Sequence, residues 1–212
     1  MKRILVFAAL SLATAACVTR TLPVRNMFPD GEPVPSETLL EAYYRPTRSV
    51  HPTRGDTITD LMVQDNFRSG RVACSNLDSP PVRVTLTLRK HSPHGMSALT
   101  LLRVDYEEER PLGPDADRAL QLHLDEATIV PTRFGNPTRA TRYGASETIQ
   151  FLVSPAVLQE IATAERTSAR LSGRRGRCDF PITGHARGLI AMFAERELGA
   201  PGVENVSLHR GR

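Results

Sequence analysis

An alternating stretch in the first half of the chain most constrains its fold. From Val82 to Leu88, apolar residues occupy every second position, with arginine or threonine between them. Successive side chains of a β-strand point to opposite faces of a sheet. The pattern therefore predicts a strand that is buried on one face and solvated on the other.

Other short apolar stretches predict further strands. They run over 58–63, 71–75, 98–106, 120–124 or up to 130, and 147–153. The last two are expected to be antiparallel neighbours with a long connection, because a polar stretch over 133–144 predicts a loop between them. Pro46, Pro52 and Gly55 predict another loop over 45–55.

Helical signals occur at both ends of the domain. Ser36 is placed to cap a short helix up to Tyr44, in which Leu39, Leu40 and Tyr43 are expected to face the core. Ser154 followed by Pro155 marks the start of a second helix.

A predicted hairpin and a final helix follow. Thr167–Leu171 and Cys178–Ile182 flank the turn sequence SGRRG, and Thr183 is placed to cap a helix that ends near Leu198. Strands followed by a strand–helix–hairpin–helix unit predict an α+β fold. We expect a mainly antiparallel sheet with the C-terminal unit packed on one face, in a single domain over 36–200 with a tail over 201–212.

The first residues have the three parts of a secretory signal. Lys2 and Arg3 precede an apolar run from Ile4 to Leu12, and small residues lead into Cys17. A bilayer span needs about 20 apolar residues, so this run is too short to remain as a transmembrane helix.

The sequence Thr14-Ala15-Ala16-Cys17 resembles the lipobox of bacterial lipoproteins. In that class the signal is cut before the cysteine, which then carries a diacylglyceryl group and an acylated amino terminus. The resemblance implies a signal peptide over 1–16, a palmitate-type lipid anchor at Cys17 and a flexible tether over 17–35. Because Val18 rather than aspartate follows the cysteine, it also implies the periplasmic face of the outer membrane. Cleavage at the A-x-A site Ala13–Ala15 is the alternative and would leave Cys17 as a free thiol.

The two remaining cysteines are expected to form a disulfide. Export places the chain in an oxidising compartment, where Cys74 and Cys178 should pair. Such a bond would join an early strand to the last hairpin.

Charge and motifs narrow the functional classes. Removing Lys2 and Arg3 from the 27 basic residues leaves 25 against 23 acidic ones, so the mature net charge is about +2. A nucleic-acid partner is not expected, because such proteins concentrate a basic excess. The sequence contains no nucleophile-elbow, zinc-protease, P-loop, C-x-x-C or dinucleotide motif. We therefore expect no catalytic residue, cofactor or metal ligand.

The histidines and the acidic run have plain structural interpretations. His91 and His94 lie in a predicted turn without a nearby third metal ligand. His123 and His185 are predicted to be surface residues, and the acidic residues over 105–109 are predicted to be a solvated strand end rather than a cation site.

Two groups of arginines are the remaining candidates for a binding site. If adjacent in space, they could contact anionic lipid headgroups, lipopolysaccharide phosphates or peptidoglycan carboxylates. The alternative is scattered charge on exposed loops. The candidate residues are Arg133, Arg139, Arg142, Arg174 and Arg175.

These observations favour a membrane-anchored envelope lipoprotein with a non-enzymatic binding or scaffolding domain in the periplasm. Its expected partners are the membrane, through Cys17, and an envelope protein or glycan. A hydrolase acting on cell-wall material and a carrier of small ligands or lipids are the alternatives.

Overall fold

The computed structural model describes residues 32–66, 72–75, 83–108, 111–114, 118–140 and 145–199. The predicted signal peptide, Cys17, the tether up to residue 31 and the tail over 201–212 lie outside these residues. The elements, in chain order, are α1 (Glu37–Tyr43), β1 (Thr47–Val50), β2 (Thr57–Asp65), β3 (Ala73–Ser75), β4 (Arg83–Ser92), β5 (Leu99–Glu108), β6 (Leu120–Leu124), β7 (Ala127–Ile129), β8 (Thr132–Ala140), β9 (Ala145–Leu152), α2 (Pro155–Thr163), β10 (Thr167–Gly173), β11 (Gly176–Pro181) and α3 (Gly184–Leu198).

The strands form two antiparallel sheets. The first has the order β1-β2-β4-β5-β9-β8, and the second has the order β3-β11-β10-β6-β7. In the first sheet, the register aligns Leu61, Leu88, Leu102 and Phe151 in one buried row across four strands. This row confirms the strand predicted from the alternation around Leu88, which extends from Arg83 to Ser92.

The second sheet buries its own apolar row. Leu122 pairs with Ala169, which pairs with Phe180, and all three are almost fully buried. This row belongs to the same core cluster as the buried row of the first sheet. The hairpin predicted near the C-terminus is confirmed as β10 and β11, in the middle of this sheet.

α2 and α3 begin at the predicted caps, whereas Ser36 occupies the N-cap position of α1 without a side-chain capping hydrogen bond. The hydroxyl of Ser154 accepts from the amide of Val157 at 3.3 Å, and that of Thr183 accepts from the amide of Ala186 at 3.2 Å. α3 packs against β2 and β4, and both α1 and α2 contact α3. The α+β class is confirmed, with antiparallel sheets and a C-terminal helix on the first sheet.

The predicted polar loop over 133–144 is wrong for most of its length. Residues 132–140 form β8, which pairs with β9 at the edge of the first sheet. The register shifts between Phe134 and Thr138, where Gly135 and Pro137 lie. An edge strand tolerates such residues because one of its sides forms no ladder hydrogen bonds.

The predicted pairing of the strands near 120 and 150 is also wrong. β6 does not continue to residue 130 but turns at Asp125 and Glu126 into β7, with Asp125 at a φ of 50°. β9 lies in the other sheet, between β5 and β8.

The N-terminal part differs from its prediction in two details. β1 lies within the predicted loop over 45–55 as a fully exposed edge strand. In α1, Leu40 is buried as expected, but Leu39 and Tyr43 are 47% and 57% exposed. α1 has only seven residues and packs on α3, so only one of its sides is covered.

The predicted disulfide is confirmed. Cys74 and Cys178 lie directly opposite each other in the β3–β11 pair, and their sulfur atoms are bonded. The bond joins an edge strand of the second sheet to the last hairpin, across 104 residues of sequence.

Candidate functional site

The two sheets meet at a short segment, Pro111–Pro114, that holds the β10–β11 turn. The amide of Arg174 donates to the carbonyl oxygen of Gly113 at 2.9 Å, and the amide of Arg175 donates to that of Leu112 at 3.3 Å. Leu112 is fully buried, which fixes the segment in the core. Arg174 and Arg175 are exposed, so the turn presents two guanidinium groups on an ordered backbone.

The same segment is bound to the first sheet through a buried carboxylate. Glu147, on β9, is only 2% exposed and accepts a hydrogen bond from the amide of Gly113 at 3.1 Å. Arg139, on β8, lies directly opposite Glu147. The backbone of Arg139 is thus linked to the turn through Glu147 and Gly113. We call the two exposed residues of the turn, Arg174 and Arg175, the arginine corner.

The predicted arginines are only partly brought together. Arg133 also lies on β8, opposite Phe151. Phe151 is four residues from Glu147 along β9, which is about 13 Å in a strand. Arg142 lies outside the described residues. Arg133 and Arg139 are therefore strand residues, not loop residues as predicted.

Beside Glu147, the core also buries a tyrosine. Tyr106 pairs with Glu147 in the ladder, is fully buried and donates its hydroxyl hydrogen to Glu108. Burial, together with the nearby carboxylates, raises the pKa of Tyr106 well above its usual value. The phenol therefore stays neutral and serves as a hydrogen-bond donor.

Other arginines are engaged in ion pairs on the outer face of the first sheet. Arg89 forms a two-point contact with Asp60, at 2.8 and 2.7 Å, in the opposite register position. Arg83 contacts Asp65 and Glu107, and Arg103 contacts Asp105. Asp105 and Glu107, which belong to the acidic run over 105–109 that was predicted to be solvated, therefore form ion pairs with arginines.

His123 is buried, contrary to its prediction. It was expected at the surface but is 6% exposed, beside Ser168, Arg170 and Asp179 of the neighbouring strands. Its Nδ1 atom is 3.0 Å from the Thr128 hydroxyl, whereas its Nε2 atom is buried with no hydrogen-bond partner. Burial, and then the charge of Arg170, lower the pKa of this imidazole. Alternation alone placed it on the polar side of β6 and carried no signal that this side is covered.

The other histidines take part in local contacts. His91 is on β4, with its Nε2 atom 3.7 Å from Asp56, and the amide of His94 donates to the same carboxylate at 3.1 Å. His185 packs its ring edge-to-face with Tyr43, at a centroid distance of 4.8 Å. Within the described ranges, no group of three or more His, Cys, Asp and Glu side chains is arranged to hold a metal ion.

In the part of the chain that the structure describes, no helix has both the length and the apolar character needed to span a bilayer. No family model matches the sequence, and comparisons with curated proteins and with solved structures found no match.

Proposed function

We propose that this chain is a lipid-anchored protein of the bacterial envelope, whose α+β domain binds or scaffolds another envelope component without catalysing a reaction. The observation that carries the proposal is the allocation of its three cysteines. Cys74 and Cys178 are joined in a disulfide, which leaves Cys17 as the remaining cysteine. That residue stands at the end of the signal-like leader, where lipoproteins are acylated.

The disulfide also supports an exported location. Such bonds form and persist in oxidising compartments and are rare in the cytosol. Several acyl chains on Cys17 would hold the protein firmly, since one chain alone binds a membrane only marginally. Val18 after the cysteine favours the outer membrane, with the domain in the periplasm.

The arginine corner is the surface we assign to the binding role. Arg174 and Arg175 are held on a turn whose two amides are already hydrogen-bonded. The backbone of the turn therefore loses little conformational entropy when a ligand binds. Guanidinium groups recognise carboxylates and phosphates with two parallel hydrogen bonds. We propose that the ligand is an anionic envelope component.

The anchor is tested by the intact mass of the natively expressed protein from the membrane fraction, with and without reduction. The expected mass is that of residues 17–212 plus one diacylglyceryl group and one amide-linked acyl chain, less two hydrogens for the disulfide. The Cys17→Ser variant is the control and should lack the acyl groups. An unmodified wild-type protein in the soluble fraction would contradict the proposal.

The binding surface is tested by co-sedimentation of the protein with isolated cell walls. Replacing both Arg174 and Arg175 by serine should reduce binding, and raised salt should weaken binding of the wild type. The matched control replaces Arg54 and Arg166 by serine. This removes the same charge elsewhere on the surface and should leave binding unchanged. Equal losses in both double variants would indicate a non-specific charge effect. Release of soluble wall fragments would instead favour the hydrolase.

A further inference from the structure

Three exposed apolar side chains lie between residues 34 and 43. Val34 is 43% exposed, Leu39 is 47% exposed and Tyr43 is 57% exposed. Leu39 and Tyr43 are four residues apart in α1 and therefore share one face of that helix. Val34 lies just before the helix, and part of its side chain packs on α3, where an added Cβ at Gly188 would lie 3.0 Å from its Cγ1 atom. We call Val34, Leu39 and Tyr43 the apolar strip.

The segment that carries the strip is held firmly on α3. Leu40 packs over Gly188, where an added Cβ would come within 2.5 Å of the leucine side chain. Pro33 packs over Gly184, where an added Cβ would lie 2.1 Å from the proline carbonyl oxygen. The strip is thus a fixed feature of the domain surface.

Arg187, on α3, also holds this segment in place. Its guanidinium donates hydrogen bonds to the carbonyl oxygens of Glu32 and Ala164. These two bonds link the start of the described chain to the end of α2. On the surface, the ring of Tyr43 is supported edge-to-face by His185. This contact fixes the orientation of the Tyr43 ring.

The short sequence separation between the strip and the predicted anchor indicates what covers the strip. Residues 18–31 separate Cys17 from the start of the described segment. A flexible chain of that length has a root-mean-square span of about 20 Å. We infer that the apolar strip rests on the phospholipid surface to which Cys17 anchors the chain, an inference that depends on the proposed lipid anchor. Apolar side chains of such interfacial segments enter the headgroup boundary, where tyrosine is favoured.

This contact orients the rest of the domain. The chain enters beside Gly184, at the start of α3, where the base of the β10–β11 hairpin closes through Thr167 and Ile182. Arg174 and Arg175 lie at the other end of the hairpin, and β10 with its seven residues spans about 20 Å. The arginine corner is thus separated from the entry point of the chain by the length of the hairpin.

Fluorescence can test the contact because the chain contains no tryptophan. Tyr43→Trp places a single indole in the strip. Met62→Trp is the matched control, because Met62 is 57% exposed on the face of β2 opposite to its buried Leu61 and Val63 neighbours. Each lipidated, full-length variant is reconstituted into phosphatidylethanolamine–phosphatidylglycerol vesicles, with and without brominated lipid.

The inference predicts that Tyr43→Trp emission moves to shorter wavelength in vesicles and loses intensity with brominated lipid, whereas Met62→Trp emission changes in neither way. Adding Leu39→Ser to Tyr43→Trp should reduce the quenching. If the vesicles carry the protein but both indoles behave alike, the membrane contact is wrong and the anchor stands. If the protein carries no acyl chains and does not float with vesicles, the proposed anchor fails and the membrane contact fails with it.

Discussion

The guanidinium of Arg187 donates a hydrogen bond to the carbonyl oxygen of Glu32, a residue 155 positions earlier in the chain. The same side chain also donates to the carbonyl oxygen of Ala164. It is only 6% exposed, and burial lowers its pKa. A buried arginine thus joins α3, the end of α2 and the start of the described chain.

Replacing Arg187 by alanine should destabilise the domain by about 2–4 kcal/mol, because two carbonyl groups lose a charged donor. Urea unfolding measures the loss. Arg166→Ala is the control, since Arg166 is 44% exposed and its ion pair with Glu126, at 3.7 Å, should contribute at most about 1 kcal/mol. Equal losses in both variants would show that Arg187 has no special role in holding the N-terminal segment.

Two glycines allow two different segments to pack closely, and replacing each should loosen only the segment that it contacts. Gly184→Ala places a methyl group against Pro33, and Gly173→Ala places one against the carbonyl oxygen of Leu112, at 2.5 Å. Gly184→Ala should therefore raise amide hydrogen exchange over residues 32–44, and Gly173→Ala should raise it at Leu112 and Gly113, the two residues of 111–114 that have an amide hydrogen. Each variant is the control for the other. Faster exchange of both segments in both variants would mean that the effect is global.

Removing the disulfide should lower stability chiefly by releasing a constraint on the unfolded chain. The bond closes a loop across 104 residues, for which the chain-entropy model gives up to about 4.7 kcal/mol. Replacing Cys74 and Cys178 together by alanine should lower the urea midpoint, and a reducing agent should then have no further effect. A wild-type midpoint that is the same with and without reducing agent would contradict the prediction.

Acidification should destabilise the domain through His123. Burial and Arg170 lower the pKa of His123 below its ordinary value of 6.5, so the unfolded chain binds the proton more readily than the folded one. The contribution of neutral His123 to the free energy of unfolding is therefore fully present above about pH 6.5. It is lost as the pH falls through the lower pKa of the folded state. His123→Gln should flatten the dependence of the unfolding free energy on pH in that range.

The control for this prediction is His94→Gln, because His94 is exposed in the β4–β5 turn. Its profile should follow that of the wild type. If His123→Gln retains the full loss of stability on acidification, another group is responsible for it.

Local sequence patterns predicted the elements that depend on neighbouring residues. Alternation identified β4, and capping residues identified the starts of α2 and α3, because both signals come from side chains within a few positions of each other. The composition of β8 misled the prediction for the opposite reason. Gly135 and Pro137 favour a loop locally, whereas pairing with β9 outweighs that preference at the sheet edge.

The sequence by itself determined the α+β class, the starts of α2 and α3 and the cysteine pair, since each follows from local periodicity, capping or a count of residues. Only the tertiary structure decided which strands are neighbours, that they form two sheets, and that His123 and Arg187 are buried. It also brought Arg139 towards the turn at Arg174 and left Arg133 apart. The physical reason is that pairing across sheets depends on contacts between residues far apart in sequence, which the pattern within a single strand does not specify.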